Sequence, residues 1–230
     1  MKLLALDTAT AACSAAVWHD GRVVARRFEA MVRGHAERLM PMVRTVMDEA
    51  ANGQGDFGAL DAIAVTVGPG AFTGVRIGLA AARALGLAAS RPVAGFTTLE
   101  TVAAAQDEVG TPVLVALDSK RQDIYVQLFA AGLQPQDAPA AVLPDDLPAF
   151  LPAVPIAVCG DAAARAIAAL AAAGRTAALL EGPPLPDAAV LAALAAARWP
   201  EIEAACRGRS AMPQPLYLRP PDVSLAAPRR

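Results

Sequence analysis

Histidine is nearly missing from this 230-residue chain: His19 and His35 are the only two. A catalytic zinc site needs three or four nitrogen, sulfur or carboxylate ligands, and no HxxxH, HExxH or Cys–His grouping supplies them. His19 abuts an Asp-Gly turn, and His35 follows Gly34 at a helix start. These positions suit a surface residue and a cap. Cysteine is scarce too. Cys13, Cys159 and Cys206 show no CxxC spacing and no even framework, which reads as reduced, buried thiols. Gly-x-Ser-x-Gly is absent, and Ser14, Ser119 and Ser210 have no evident histidine partner, so nucleophilic catalysis lacks its parts. Lysine occurs only at positions 2 and 120. In so alanine-rich a chain, the preference for arginine reads as coding bias. A net charge of −2 gives no general case for nucleic-acid binding. No uncharged apolar run reaches membrane-spanning length, and MKLLALD meets Asp7 too early for a signal peptide. The expectation is a cytoplasmic protein with no membrane partner.

What is present is a packable core. Apolar residues make up 55% and charged residues 18%, at a length that fits one large domain or two small ones. The most informative stretch is GPGAFTGVRIG at 68–78. Strand composition precedes it (61–67), and an Ala- and Leu-rich run follows. This predicts a strand, a glycine loop (Gly68, Pro69, Gly70, Phe72, Thr73, Gly74, Arg76) and a helix N-terminus. Such a junction suits an anion or a close backbone contact. It is neither a P-loop, since no Gly-Lys-Ser/Thr follows, nor a GxGxxG fingerprint.

Strands are predicted at 2–8, 12–18 and 22–28, with Asp20-Gly21 as a type I′ hairpin turn. A helix follows over 35–50, where Pro41 should sit in the first turn or kink it. Strand 61–67, helix 72–90, a short strand at 92–95 and a helix from Thr97 complete a first half. A repeat then appears: LLALDT at 3–8 returns as LVALDS at 114–119, each followed by a polar turn and a second strand. Asp7 and Asp118 end the two copies. This points to a duplicated α/β architecture, of the actin-like ATPase and sugar-kinase (ribonuclease H-like) fold, with two subdomains and mixed sheets. The division expected is 1–108, 109–206 and a Pro/Arg-rich tail at 207–230, extended or mobile. A Pro-rich connector is expected at 134–155. Strands at 154–159 and 176–180 and helices at 161–173 and 187–198 finish the second half.

Asp7 with Thr8 and Thr10 could hold a hydrated metal or touch a phosphate. The competing reading is a turn aspartate satisfying nearby N–H groups. Kinases of this fold usually carry glycine two residues on, where this chain has Ala9, which favours the structural reading. Asp118 with Asp123, and Glu100, are acids without a defined task. The helices at 35–50 and 72–90 carry apolar faces: Leu39, Val43, Val46 and Met47 on one, and Phe72, Val75, Leu79 and Ala82 on the other. Packing on the chain's own sheet accounts for one face. A contact with another chain is the second expectation. On it, Val43→Glu or Leu79→Arg should abolish association and leave the fold intact.

The glycine-loop string, LALDTATAACSAAVW near the start, GHAERLMPMV at 34–43 and PLYLRPPDV at 215–223 together resemble the TsaB (YeaZ) family of tRNA threonylcarbamoyladenosine biosynthesis. The resemblance covers the first hundred residues and the tail motif. The catalytic paralogues of that family, TsaD, carry Asn-His-Met-Glu-Gly-His after the same loop and helix, and its histidines bind the metal. The matching stretch here runs from Gly95 to Val102, with Thr98 and Val102 at the histidine positions and Glu100 retained. The resemblance therefore implies a non-catalytic paralogue with no metal of its own. Its implied partners are a TsaD-like catalytic subunit, bound through the two N-terminal helices, a TsaE-like ATPase, and tRNA indirectly through the complex. A homodimer is implied when the chain is alone. No intrinsic cofactor is implied, but ATP or ADP near the complex interface is, with Asp7 and Thr8 as the candidate contacts. Competing readings are a metallopeptidase-like hydrolase, which lacks its ligands, and a small-molecule kinase or ATPase, which lacks a second phosphate loop.

Overall fold

The computed structural model describes residues 1–107, 109–207 and 212–219. Ser210, the side chain of Cys206 and the tail beyond 219 lie outside the described residues. The Asp20-Gly21 turn joins the first antiparallel strands with φ of 45° and 91°, the two positive values that a type I′ turn requires. Strands β1 (Lys2–Asp7), β2 (Ala12–His19) and β3 (Arg22–Ala30) form a meander. Strands β4 (Ala62–Thr66) and β5 (Val93–Phe96) add in parallel on the other side of β1, giving the order β3-β2-β1-β4-β5. The second half repeats this. Strands β6 (Val113–Asp118), β7 (Ile124–Phe129) and β8 (Ala140–Val142) form the meander, and β9 (Ile156–Cys159) and β10 (Ala177–Leu179) the parallel side, in the order β8-β7-β6-β9-β10. The two sheets are copies of one pattern, the duplicated sheet of the actin-like ATPase fold. The central strands β1 and β6 are almost wholly apolar because each is covered on both faces.

Helices α1 (His35–Ala51) and α2 (Phe72–Ala89) cover one face of the first sheet. Helices α4 (Leu147–Phe150) and α5 (Ala163–Ala172) cover the matching face of the second. The opposite faces are covered by exchange. Helix α3 (Thr98–Ala103) leaves the first half and packs Leu99, Val102 and Ala103 on the second sheet. Helix α6 (Ala188–Ala197) leaves the second half and packs Leu191, Ala192 and Ala195 on the first, joined there by Trp199 and Ile202 of α7 (Trp199–Arg207). The division into 1–108 and 109–206 therefore follows the strands but fails for these helices. Both are apolar enough to serve either sheet, so the sequence pattern alone does not choose. Ser14 helps to fix α6: its Oγ accepts the Ala188 amide at 2.9 Å. Asp187 caps α6 through the Ala189 amide and pairs with Arg26.

Three other expectations change. Pro41 lies in the second turn of a continuous α1, on its solvent side, where it leaves the Glu37 carbonyl without an amide donor. The connector at 134–155 contains β8 and α4. The tail is not free where the structure describes it: residues 213–217 pack against the first half, with Leu216 N–H donating to the Val67 carbonyl at 2.8 Å. Helix α2 is long and apolar enough to cross a membrane by length and composition, but Val75, Leu79 and Ala82 are buried against the sheet. A core helix gives the same hydropathy.

Candidate functional site

The glycine loop joins β4 to α2 and lies directly over the turn that follows β1. The Ala71 amide donates to the Ala9 carbonyl at 2.7 Å. A Cβ placed on Gly70 would stand 2.1 Å from that same oxygen, so only glycine permits the approach. The Thr8 hydroxyl donates to the Gly74 carbonyl at 2.7 Å. Of the two uses the sequence left open for this junction, anion site or close backbone contact, the observed one is the backbone contact.

The structure places Asp7 and Thr8, the possible nucleotide contacts, inside the chain. Both are buried, and α2 packs directly on Thr8. Asp7 Oδ1 accepts from the Thr66 hydroxyl at 2.6 Å and from the Ala9 amide at 3.2 Å, while its Oδ2 is buried without a partner. Burial pushes its carboxyl up from 3.8 to about 7, against the lowering effect of those two bonds. In the chain by itself this carboxyl is a buried group that offers no exposed oxygen.

The apolar stripes of α1 and α2 need a correction. Leu39, Val43, Val46, Met47, Val75, Leu79 and Ala82 are all buried within the chain's own first core. The burial of a helical stripe against its own sheet uses the face that periodicity reveals. Val43→Glu or Leu79→Arg would put a charge in that core and test folding, not association. Only Phe72 of the eight is exposed, at 52%. The solvent side of this helix pair carries Met40, Arg44 and Thr45 on α1, and Phe72, Arg76, Ala80, Ala84 and Leu87 on α2. Leu87 is 78% exposed. At the loop end of α2, Phe72 stacks on Tyr217 with ring centroids 5.4 Å apart, and the Arg76 guanidinium lies 3.7 Å over the Phe72 ring. Arg76 Nε also donates to the Tyr217 hydroxyl at 2.8 Å. Thr73 is exposed in the first turn beside them. Gly68 lies beneath the tail, with the Leu216 carbonyl against it, and Pro69 is buried beside it.

A cavity of about 500 Å³ opens between the halves. Thr10, Val32, Gly34 and His35 line one wall, and Asp118, Ser119, Lys120 and Asp161 the other. His35 Nε2 lies 3.1 Å from the Thr10 carbonyl, which requires the proton on that nitrogen and ties down the start of α1. Asp118 repeats the turn geometry of Asp7, accepting the Lys120 amide at 2.8 Å, but it also meets the Lys120 ammonium at 2.8 Å and Arg165 at 3.5 Å. Asp123 is taken up by Ser119 and Arg219.

No group of three or more His, Cys, Asp or Glu residues able to hold a metal occurs among the described residues. Thr98 and Val102 are fully buried in α3, Val102 within the second core. Glu100 accepts from Thr97 and, at 2.8 Å, from Arg198. These residues do not fit a metal: two offer no strong ligand atom, and the third is engaged in a salt bridge. Cys13 and Cys159 are buried, and burial pushes both thiols up to about 12, which removes them as nucleophiles at neutral pH.

Residues 27–141, half the chain, match the family of TsaD, tRNA N6-adenosine threonylcarbamoyltransferase. The solved structure titled YeaZ from Pseudomonas aeruginosa is 32% identical and superposes with a TM-score of 0.72, over 87% of this chain and 94% of that one. The chain belongs to the TsaB (YeaZ) family. A second Pseudomonas aeruginosa structure, described as similar to peptidase YeaZ, gives a TM-score of 0.74 at 31% identity, over 95% and 99% of the two chains. The Escherichia coli tRNA threonylcarbamoyladenosine biosynthesis protein TsaB is 42% identical over 127 residues, 54% of this chain. The match spans about half the length of that curated relative, 53%. In this member of the family the glycine loop is closed on its own backbone at Ala9.

Proposed function

We propose that this chain is a non-catalytic subunit of a cytoplasmic assembly that transfers threonylcarbamoyl from its adenylate to the adenosine beside the anticodon of tRNA. The observation that carries the reading is α3. The chain keeps the loop-and-helix frame of the TsaD family, and the two positions where that family is expected to bind metal are Thr98 and Val102, buried as packing residues. A paralogue that preserves the frame and spends the metal positions on its core is suited to holding a catalytic relative. The partners in this reading are a TsaD-like catalytic subunit, a TsaE-like ATPase and, through them, tRNA, with a homodimer when the chain is alone. The surface offered is the outward side of α1 and α2, centred on Met40, Ala80, Ala84 and Leu87. Any nucleotide belongs to the assembled interface, because Asp7 and Thr8 are closed to it.

The test is a reconstitution from the catalytic paralogue, the ATPase, the adenylate-forming enzyme and unmodified tRNA, with and without this chain. Modified nucleoside is quantified by mass spectrometry after digestion. Product only when this chain is added, and none from the chain alone, is the expected result. Equal product in its absence removes the accessory reading. Leu87→Arg should keep the melting temperature within a few degrees and lower association measured by light scattering at least tenfold. Unchanged association would move the interface off this face.

A further inference from the structure

We propose that residues 213–219 are a strap that latches the two halves of the chain together across the end of the cleft. The segment holds the first half by several contacts. Leu216 N–H bonds to the Val67 carbonyl just past the end of β4, Pro213 packs over Gly95, and the Pro213 carbonyl accepts from Arg83. Tyr217 closes on Phe72 and Arg76 of α2. Two residues later Arg219 pairs with Asp123, at the start of the second hairpin strand in the other half. Asp123 is nearly buried, and its Oδ1 also accepts from the Ser119 hydroxyl at 2.6 Å. Ser119 lines the cleft beside Asp118 and Lys120. One short stretch of chain thus grips the glycine loop that forms one wall and the hairpin turn that forms the other. The strap thus brings a charge partner to a buried carboxylate of the second half, and the pair ties the halves together.

The test places spin labels at Val32→Cys and Gln122→Cys, two exposed positions on opposite sides of the cleft, in a Cys206→Ser background; Cys13 and Cys159 are buried. The distance distribution is read by pulsed electron paramagnetic resonance in the full chain, in Arg219→Ala and in a chain ending at 211. The expected result is a narrow distribution in the full chain, with at least a twofold increase in width in both variants. An unchanged width in both overturns the latch. Broadening in the truncated chain alone overturns Arg219–Asp123 as the anchor on the second half. If the truncated chain does not fold, Arg219→Ala decides alone.

Discussion

Asp7 and Asp118 end the first strands of two copies of one sheet, and each accepts the amide two residues on. Yet Asp7 is fully buried, and Asp118 keeps 28% of its side chain in solvent. The difference comes from where the next loop lands. In the first half the loop before α2 reaches past the strand and bonds at Ala9, two residues beyond Asp7. In the second half the loop before α5 bonds at Ala116, two residues short of Asp118, through the Ala162 amide at 3.1 Å. There Gly160 makes the close approach, with the Ala116 oxygen 2.2 Å from where its Cβ would lie. A shift of four residues in the docking point closes one strand end and leaves the other open on the cleft. One copy has given its open end to packing and to an exposed helix pair. The other retains a polar end.

The largest effect should come from breaking the closed end. Gly70→Ala forces a methyl into the Ala9 carbonyl, and backbone on both sides has nowhere to go. The expected cost is about 4 kcal/mol, at the upper end for overpacking, or roughly a 10 °C fall in melting temperature for a chain of this size. Gly132→Ala, with open space around it, is the control and should change little. Equal melting temperatures for the two would show that the loop does not need to sit so close.

Much of this was readable beforehand. The repeat of LLALDT as LVALDS gave the duplication, and Asp20-Gly21 gave a hairpin of the right turn type. The glycine loop lies between the strand and the helix that its flanking composition predicts. What escaped has a common cause, contacts between residues far apart in sequence. Periodicity finds the buried stripe of a helix, so it named Val43 and Leu79, whereas an interface uses the side that shows no stripe. The exchange of α3 and α6 between sheets is invisible because Leu99 and Leu191 would suit either. The docking of the tail depends on Tyr217 meeting Phe72, 145 positions away by subtraction. Aromatic residues in a Pro-rich tail are the signal that could have found it.

Asp7→Asn sharpens the comparison at intermediate size. The folded carboxyl stands near 7 and the unfolded one near 3.8. The folded state therefore holds a proton that the unfolded state has lost between those values. Stability from the protonated form is complete below about pH 4 and is lost as pH rises through 7. The amide cannot ionise, so Asp7→Asn should flatten this dependence and be more stable than the parent by about 2 kcal/mol at pH 8. The gain should shrink towards zero or reverse at pH 5. Urea unfolding at the two pH values checks it. A parallel pH dependence in parent and variant would mean that Asp7 is solvated.

Asp118→Asn should behave with the opposite sign and the smallest size. Burial pushes this carboxyl up, but the bonds from the Lys120 side chain and amide, with Lys120 and Arg165 charges nearby, hold it below its ordinary value. Its contribution is present above about pH 4 and is lost as pH falls through the lowered value. Partial exposure screens the pairing, so the variant should lose about 1 kcal/mol at pH 7 and nothing measurable in acid. Because Asp118 faces the cleft and Asp7 does not, the two variants titrate in opposite directions from equivalent positions. If both lost stability at neutral pH by the same amount, the closed and open ends would be electrostatically alike, and the four-residue shift in the loop would have no consequence for the chemistry of the strand end.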